Sequence, residues 1–244
     1  MRMSIDKADL DKLNEWISGS DSIVFFGGAG VSTASGIPDF RSAAGLYKKC
    51  YHAEEVLSHS FFMSRTEEFY DFYKKNMLYL DVKPNAVHYT LAALERAGKL
   101  NAVITQNIDG LHGMAGSKKV LEIHGSIYYN YCMDCGRQYP PEYIKSCEGV
   151  PHCDCGGIIK PDVVLYEEQL DGYTLSMARA YCQAAEVLIV GGTSLAVQPA
   201  AGLVYEYMGD KLVLINRDPT PADKYANLVI RGDIVEVFEQ IKGI

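Results

Sequence analysis

The sequence predicts an α/β fold, a doubly wound parallel sheet with a second, smaller domain, on three observations. Short apolar runs rich in β-branched residues alternate with segments of helical periodicity, the pattern of right-handed crossovers between parallel strands. The strong runs end in small or polar residues: Gly27-Gly28-Ala29-Gly30, Gln106-Asn107-Ile108-Asp109, His124-Gly125, Gly191-Gly192-Thr193-Ser194 and Asn216-Arg217-Asp218. Residues 126–160, with five cysteines and three prolines, interrupt that rhythm and contain no long apolar run.

Taken in order, residues 4–18 read as a helix, capped by Ser4, with Asp6 in its first turn and Ile5, Leu10, Leu13, Trp16 and Ile17 at roughly helical spacing. Gly19 ends it. Ile23–Phe26 is a buried strand emptying into the glycine turn. Residues 43–80 carry an aromatic stripe with helical period, which by default is core or a cleft wall. Pro84 opens a helix over His88–Ala97, closed by Gly98. Strands follow at Ala102–Thr105 and Val120–Ile123. After the cysteine-rich stretch come a helix at Leu170–Ala185, a strand at Val187–Val190, a helix at Val197–Met208, strands at Leu212–Ile215 and Leu228–Ile230, and a closing helix after Asp233.

The bulk numbers narrow the function. The 244 residues suffice for a real core, and 48% hydrophobic with 22% charged residues is ordinary globular composition. A formal charge of −8, with no basic run longer than two residues, argues against nucleic acid or an anionic membrane as partner and is compatible with a cationic, lysine-bearing substrate. The first 17 residues resemble neither a signal peptide nor an anchor, and no apolar stretch approaches the ~20 residues of a membrane span. Seven cysteines, four of them in close pairs, favour metal ligation in a reducing, cytoplasmic setting over disulfides.

Two local patterns carry chemistry. The turn after Phe26 lets backbone approach a phosphate because glycine lacks a Cβ, and strand ends at the carboxyl edge of such a sheet line one crevice. The spacing is not G-x-G-x-x-G, since no third glycine comes until Gly36, and a tight turn without ligand is the plainer alternative. The second pattern is Cys132-x-x-Cys135 followed by Cys153-x-Cys155, which can place four thiolates around one structural Zn²⁺ with a closed shell. The C-x-C pair is tighter than usual, so Cys147 stays open as fourth ligand, and free or redox-active cysteines are the alternative.

The segments GAGVSTASGIPDFRS, TQNIDGLH, the strand-borne HG, the paired cysteines, KPDVVLYEE, GGTSLAV and INRD occur in the order seen in sirtuins, and the chain resembles that family from about Ile23 to Asp233. The resemblance implies a Rossmann-like NAD-binding domain (1–42, 84–125 and 161–244) and a small domain made of a helical module (43–83) and a zinc module (126–160). It implies an NAD-dependent protein-lysine deacetylase that moves the acyl group of an N6-acyl-lysine to ADP-ribose, releasing nicotinamide and 2′-O-acyl-ADP-ribose. The NAD site would comprise Gly28, Ala29, Gly30, Ser32, Thr33, Ile37, Asp39, Phe40, Arg41, Gln106, Asn107, Ile108, Asp109, His124, Gly192, Thr193, Ser194, Asn216 and Ile234. Within it Phe40 would shield the sugar, Arg41 pair with phosphate, and Ile37, Ile108 and Asp109 form the nicotinamide pocket. His124 would be the general base and Asn107 would orient ribose hydroxyl and water. Val163, Val164 and Leu165 match the strand that pairs with the substrate peptide, although Leu165-Tyr166 also reads as core. Alone, a histidine on a strand is more often core; neighbouring Gln106, Asn107 and Asp109 raise His124 above that, whereas His112 reads as structural.

Three departures from the family pattern stand out. Glu167 replaces a frequent glycine, Lys160 a frequent arginine, and Tyr70 and Tyr73 stand where desuccinylating members carry Y-x-x-R. Removal of neutral acyl groups, acetyl first, is the expectation. Rival readings are an NAD glycohydrolase or ADP-ribosyltransferase on the same scaffold, and a catalytically silent NAD- or zinc-dependent binding module.

Overall fold

The structure is a computed structural model that describes residues 5–39 and 53–242. Six strands form one parallel sheet in the order β3-β2-β1-β7-β8-β9: Val120–Glu122, Leu100–Thr105, Ile23–Gly27, Val187–Gly191, Leu212–Asn216 and Leu228–Arg231. The central strands β1, β7 and β8 are buried along their whole length, as expected where helices cover both faces. Alternate residues point to opposite sides. Phe25, Val103, Ile189 and Val213 join the core beneath α1 (Lys7–Ser18); Phe26, Ile104, Val190 and Leu214 join the core that includes Ala178 and Cys182.

Helix α1 starts where a carboxylate can cap it. Asp6 accepts from the Ala8 N–H at 2.7 Å, so the cap is Asp6; the expected cap, Ser4, lies outside the described residues. Short helices α2 (Ala53–Val56), α3 (His59–Ser64) and α4 (Thr66–Asn76) carry the aromatic stripe. Helix α5 runs Ala86–Arg96, two residues earlier than expected, because Asn85 caps Val87 while His88 Nδ1 accepts from the Asn85 N–H. A single turn, α6 (Leu111–Met114), carries His112, buried against His88 with rings 4.6 Å apart. Helices α7 (Pro141–Ser146), α8 (Gly172–Ala184) and α9 (Ile234–Phe238) complete the helices among the described residues.

The expected helix at Val197–Met208 is instead a 3₁₀ segment, Ala200–Glu206. Pro199 has no N–H to give, and the turn tightens so that Gly202 N–H bonds the Pro199 carbonyl at 2.9 Å. Likewise the glycine turn leads into two short 3₁₀ turns, Ala29–Val31 and Thr33–Ser35, not into a regular helix.

The cysteine-rich stretch holds more sheet than its composition suggests. Strand β4 (Gly125–Cys132) pairs antiparallel with β5 (Gln138–Tyr139) and β6 (Ile159–Val163). Phe62, Phe69, Tyr70 and Tyr73 pack against Ile127, Ile144 and Ile159, so the aromatic helices and this sheet share one core. The Tyr70 hydroxyl donates to the Ile159 carbonyl, and burial raises its pKa.

Strand β4 of the small sheet begins at Gly125, which has φ +74° and stands against β6 so closely that an added Cβ would lie 1.9 Å from the Asp162 carbonyl oxygen. Gly98 has the same φ with nothing within 4 Å of such a Cβ. Gly98→Ala is therefore expected to cost only the left-handed strain, about 1–2 kcal/mol. Gly125→Ala adds a backbone clash and is expected to exceed about 4 kcal/mol. Urea denaturation of both variants measures the difference.

Candidate active site

The carboxyl ends of β1, β2, β7 and β8 open onto one cavity of about 600 Å³, whose far wall comes from the small sheet and α4. Its floor is close backbone packing. Gly30 N–H bonds the Gly192 carbonyl at 2.8 Å, and a Cβ on Gly30 would stand 2.8 Å from the Gly192 Cα. Gly192 itself adopts φ +61°.

Side chains wire the strand ends together. Gln106 Nε2 donates to Thr193 Oγ1 at 2.9 Å, and the Thr193 N–H donates to Asn216 Oδ1 at 3.0 Å. Deeper in, Ser32 Oγ donates to Asp109 Oδ2 at 2.6 Å and accepts from Asn107 Nδ2 at 3.0 Å. The other carboxylate oxygen of Asp109 accepts the Leu111 N–H at 2.9 Å. Burial raises the Asp109 pKa, while these two bonds oppose the rise. The carboxylate is thereby held at a fixed place in a low-dielectric wall.

His124 ends β3's continuation and lines the same cavity. Its Nδ1 lies 2.9 Å from the Gln106 carbonyl, an acceptor only, so the Nδ1 carries the proton and Nε2 presents its lone pair. Desolvation lowers the His124 pKa, partly offset by that bond. The imidazole is a neutral base at pH 7.

All the described residues expected at the NAD site line this cavity: Gly28, Ala29, Gly30, Ser32, Thr33, Ile37, Asp39, Gln106, Asn107, Ile108, Asp109, His124, Gly192, Thr193, Ser194, Asn216 and Ile234. Val163, Val164 and Leu165 line it as well. Phe40 and Arg41 lie outside the described residues. Tyr70 and Tyr73 are fully buried in the core shared by the aromatic helices and the small sheet, and the cavity wall beside α4 includes Asn76, Met77 and Tyr79. Tyr79 belongs to the aromatic stripe expected as core or cleft wall; Asn76 and Met77 were not expected there, and the only signal was their place at the end of the aromatic helix. Arg217, from the Asn216-Arg217-Asp218 strand end, lines the crevice as expected, and it pairs with Asp233, which was not expected there, across two strand ends.

The four cysteines expected at the metal do cluster. The sulfurs of Cys132, Cys135, Cys153 and Cys155 lie within 4.8 Å of one another, with Cys132–Cys155 at 3.4 Å and Cys135–Cys153 at 3.5 Å. A tetrahedron with Zn–S of about 2.3 Å needs sulfurs about 3.8 Å apart, so the four fit a structural zinc site. Gly136 and Gly156, at φ +71° and +94°, turn the two knuckles, and a Cβ on Gly157 would stand 2.7 Å from Cys132 Sγ. Cys147 is elsewhere: it caps α7, and its carbonyl accepts from Lys74 Nζ at 2.6 Å.

Lys160, only 6% exposed, donates to the Pro161 and Val163 carbonyls at 3.3 Å each and pairs with Glu168 at 3.1 Å. It stiffens the edge that carries Val163–Leu165.

Residues 28–199 match the Sir2 family. The NAD-dependent protein deacetylase of Clostridium acetobutylicum is 56% identical over 241 residues, covering 95% of this chain and 98% of that protein. The NAD-dependent protein deacetylase of Cutibacterium acnes is 49% identical, covering 95% and 97%. A solved structure described as Sir2-p53 peptide-NAD+ superposes with a TM-score of 0.86 at 39% identity, covering 95% of this chain and 96% of that one. Another, of Sir2 with 2′-O-acetyl-ADP-ribose, deacetylated p53 peptide and the inhibitor EX-527, gives 0.83 at 41% identity, covering 95% and 96%. Strand order, strand-end residues and likeness along nearly the whole length agree: the chain belongs to the Sir2 family.

Proposed function

We propose that this cavity is the active site of an NAD-dependent protein-lysine deacetylase that transfers the acyl group of an N6-acyl-lysine to ADP-ribose, with nicotinamide released. The observation that carries the reading is the convergence of a neutral imidazole, His124, with the Asn107–Ser32–Asp109 network in one cleft large enough for a dinucleotide and a side chain. The relatives' names and the NAD+ and product complexes of similar proteins support it.

In this reading the glycine floor and the Thr193–Asn216 link hold the two ends of NAD, and Asp109 accepts the nicotinamide amide while burial keeps water from the sugar. His124 Nε2 takes the proton of a ribose hydroxyl, and Asn107 orients that hydroxyl. Phe40 and Arg41 belong to the NAD site by likeness of sequence alone. Val163, Val164 and Leu165 form the edge on which an acyl-lysine peptide adds as a strand. The division into a Rossmann-like unit (1–42, 84–125 and 161–244) and a small unit (43–83 and 126–160) is part of the same reading; three separate apolar cores, two flanking the parallel sheet and one in the small unit, support it.

Among the described residues that line the cavity the cationic side chain is Arg217, already paired with Asp233. Neutral acyl groups are therefore favoured. Incubation with NAD and acetyl-, succinyl- or long-acyl-lysine peptides, followed by mass analysis, tests this. Free lysine peptide, nicotinamide and O-acetyl-ADP-ribose are expected with the acetyl peptide. Nicotinamide release without any peptide would instead mark a glycohydrolase, and faster desuccinylation would refute the acyl preference.

The lowered His124 pKa has a sign. The base works only when neutral, so kcat/KM should rise with pH through an inflection below about 6.5 and stay flat through neutrality. A pH-rate profile with saturating NAD checks it.

A further inference from the structure

We propose that Glu167 sets a preference for substrates carrying a lysine or arginine one or two positions from the acyl-lysine, its carboxylate serving as a fixed counter-charge at the mouth of the cleft. The inference rests on the deacetylase reading of the cleft.

Leu165 to Glu168 form a turn closed by the Glu168 N–H on the Leu165 carbonyl at 3.0 Å. Glu167 occupies its third position with φ +74°, the backbone region such turns hand to glycine and L side chains disfavour. Glutamate there is held by side-chain bonds. Its two oxygens accept from the Ser60 N–H at 2.9 Å and the Ser60 hydroxyl at 3.0 Å, in the first turn of α3. The backbone on either side is tied too: Tyr166 N–H bonds the Leu57 carbonyl, and His59 N–H bonds the Tyr166 carbonyl, each at 2.9 Å. The carboxylate is thus preorganised and loses little freedom on meeting a ligand.

The two neighbouring acids differ in charge balance. Glu168 is paired with Lys160 at 3.1 Å and shares a hydrogen bond with His59 Nδ1 at 2.9 Å. Glu167 has no cation within ion-pair distance among the described residues; it meets only Ser60. Glu167 is also exposed and lines the cavity two residues beyond Leu165. At about 3.3 Å per residue, a peptide paired along Val163–Leu165 brings a near neighbour of its acyl-lysine to that carboxylate. A cation there completes a pair at the protein surface, where such pairs change affinity by a few-fold.

Matched acetyl-lysine peptides flanked by lysine, alanine or glutamate test the assignment, on the wild-type chain, Glu167→Gln and Glu167→Gly. The glutamine keeps an oxygen for Ser60 and removes the charge; the glycine also relaxes the turn. In the wild type, lysine-flanked peptides should bind roughly fivefold tighter than glutamate-flanked ones, expressed in KM, with the ratio shrinking at about 1 M NaCl, where screening acts over about 3 Å. Both variants should bring the ratio within about twofold. A wild-type ratio near one, or a ratio unchanged in Glu167→Gln, overturns the proposal. Calorimetric binding of the same peptides without NAD separates it from the reading it rests on. Charge-selective binding without turnover would sink the deacetylase reading and keep the Glu167 assignment, and no binding by any peptide would sink both.

Discussion

His124→Ala is expected to lower kcat/KM for an acetyl-lysine peptide by ~10²-fold or more, the usual cost of removing a positioned base, with the melting temperature almost unchanged. The two halves of that expectation have separate causes. Among the described residues the imidazole makes one hydrogen bond, to the Gln106 carbonyl, and it stands at the cavity wall, so little packing is lost. Its Nε2, by contrast, is the unprotonated nitrogen aimed at the space where the strand ends converge. In the reaction assigned here the acyl-lysine carbonyl oxygen displaces nicotinamide from the anomeric carbon before His124 deprotonates the ribose hydroxyl that attacks the resulting imidate, so exchange of labelled nicotinamide into NAD should suffer less than product formation. A His124→Ala enzyme with full turnover would sink the mechanism. One that fails both steps equally would assign the imidazole to NAD binding instead.

Stripping the metal is expected to abolish activity by dismantling the far wall of the cleft. The four sulfurs close a knuckle between β4 and β6, and without a cation to bind they are separate thiols with nothing to hold the two ends of the knuckle together. Structural zinc binding of about 10–16 kcal/mol rivals the whole stability of a domain, so the small unit should not survive its loss. Cys132→Ser, whose sulfur is buried beside the aromatic core, should bind less than one zinc per chain and lower the melting temperature by more than about 10 °C. Cys147→Ser, whose residue lies outside the cluster, should retain full zinc and most of its stability. Metal analysis with thermal melts of the pair distinguishes a ligand from a bystander.

The parallel sheet was legible because each strand is a compact apolar run ending in a polar or glycine signature, and a sheet buried on both faces needs that pattern. Strand ends converge by topology, so listing them brought Gly28, Gln106, His124, Thr193 and Asn216 to one crevice before any coordinates. The failures share a cause: they depend on what meets what. β4 reads GSIYYNYC, with no clean alternation, because its two faces serve different neighbours and its burial follows no simple period. The paired spacing gave the four sulfurs that do cluster, and it left Cys147 open as a spare only because spacing does not show that α7 carries it away from the knuckles. Helical period over 197–208 hid the effect of Pro199 on the turn that follows. The Ser32–Asp109 bond joins two loops, each of whose residues had an adequate local explanation.

Gly125 follows His124 directly and is the first residue of β4, the strand that ends at Cys132. A single peptide link therefore couples the proton acceptor to a beam anchored, seven residues on, in a cluster of sulfurs. The Asp162 carbonyl leaves no room for a side chain at that joint, so the place of the imidazole depends on where the small sheet stands. Lesions at the remote anchor should consequently cost turnover as well as folding.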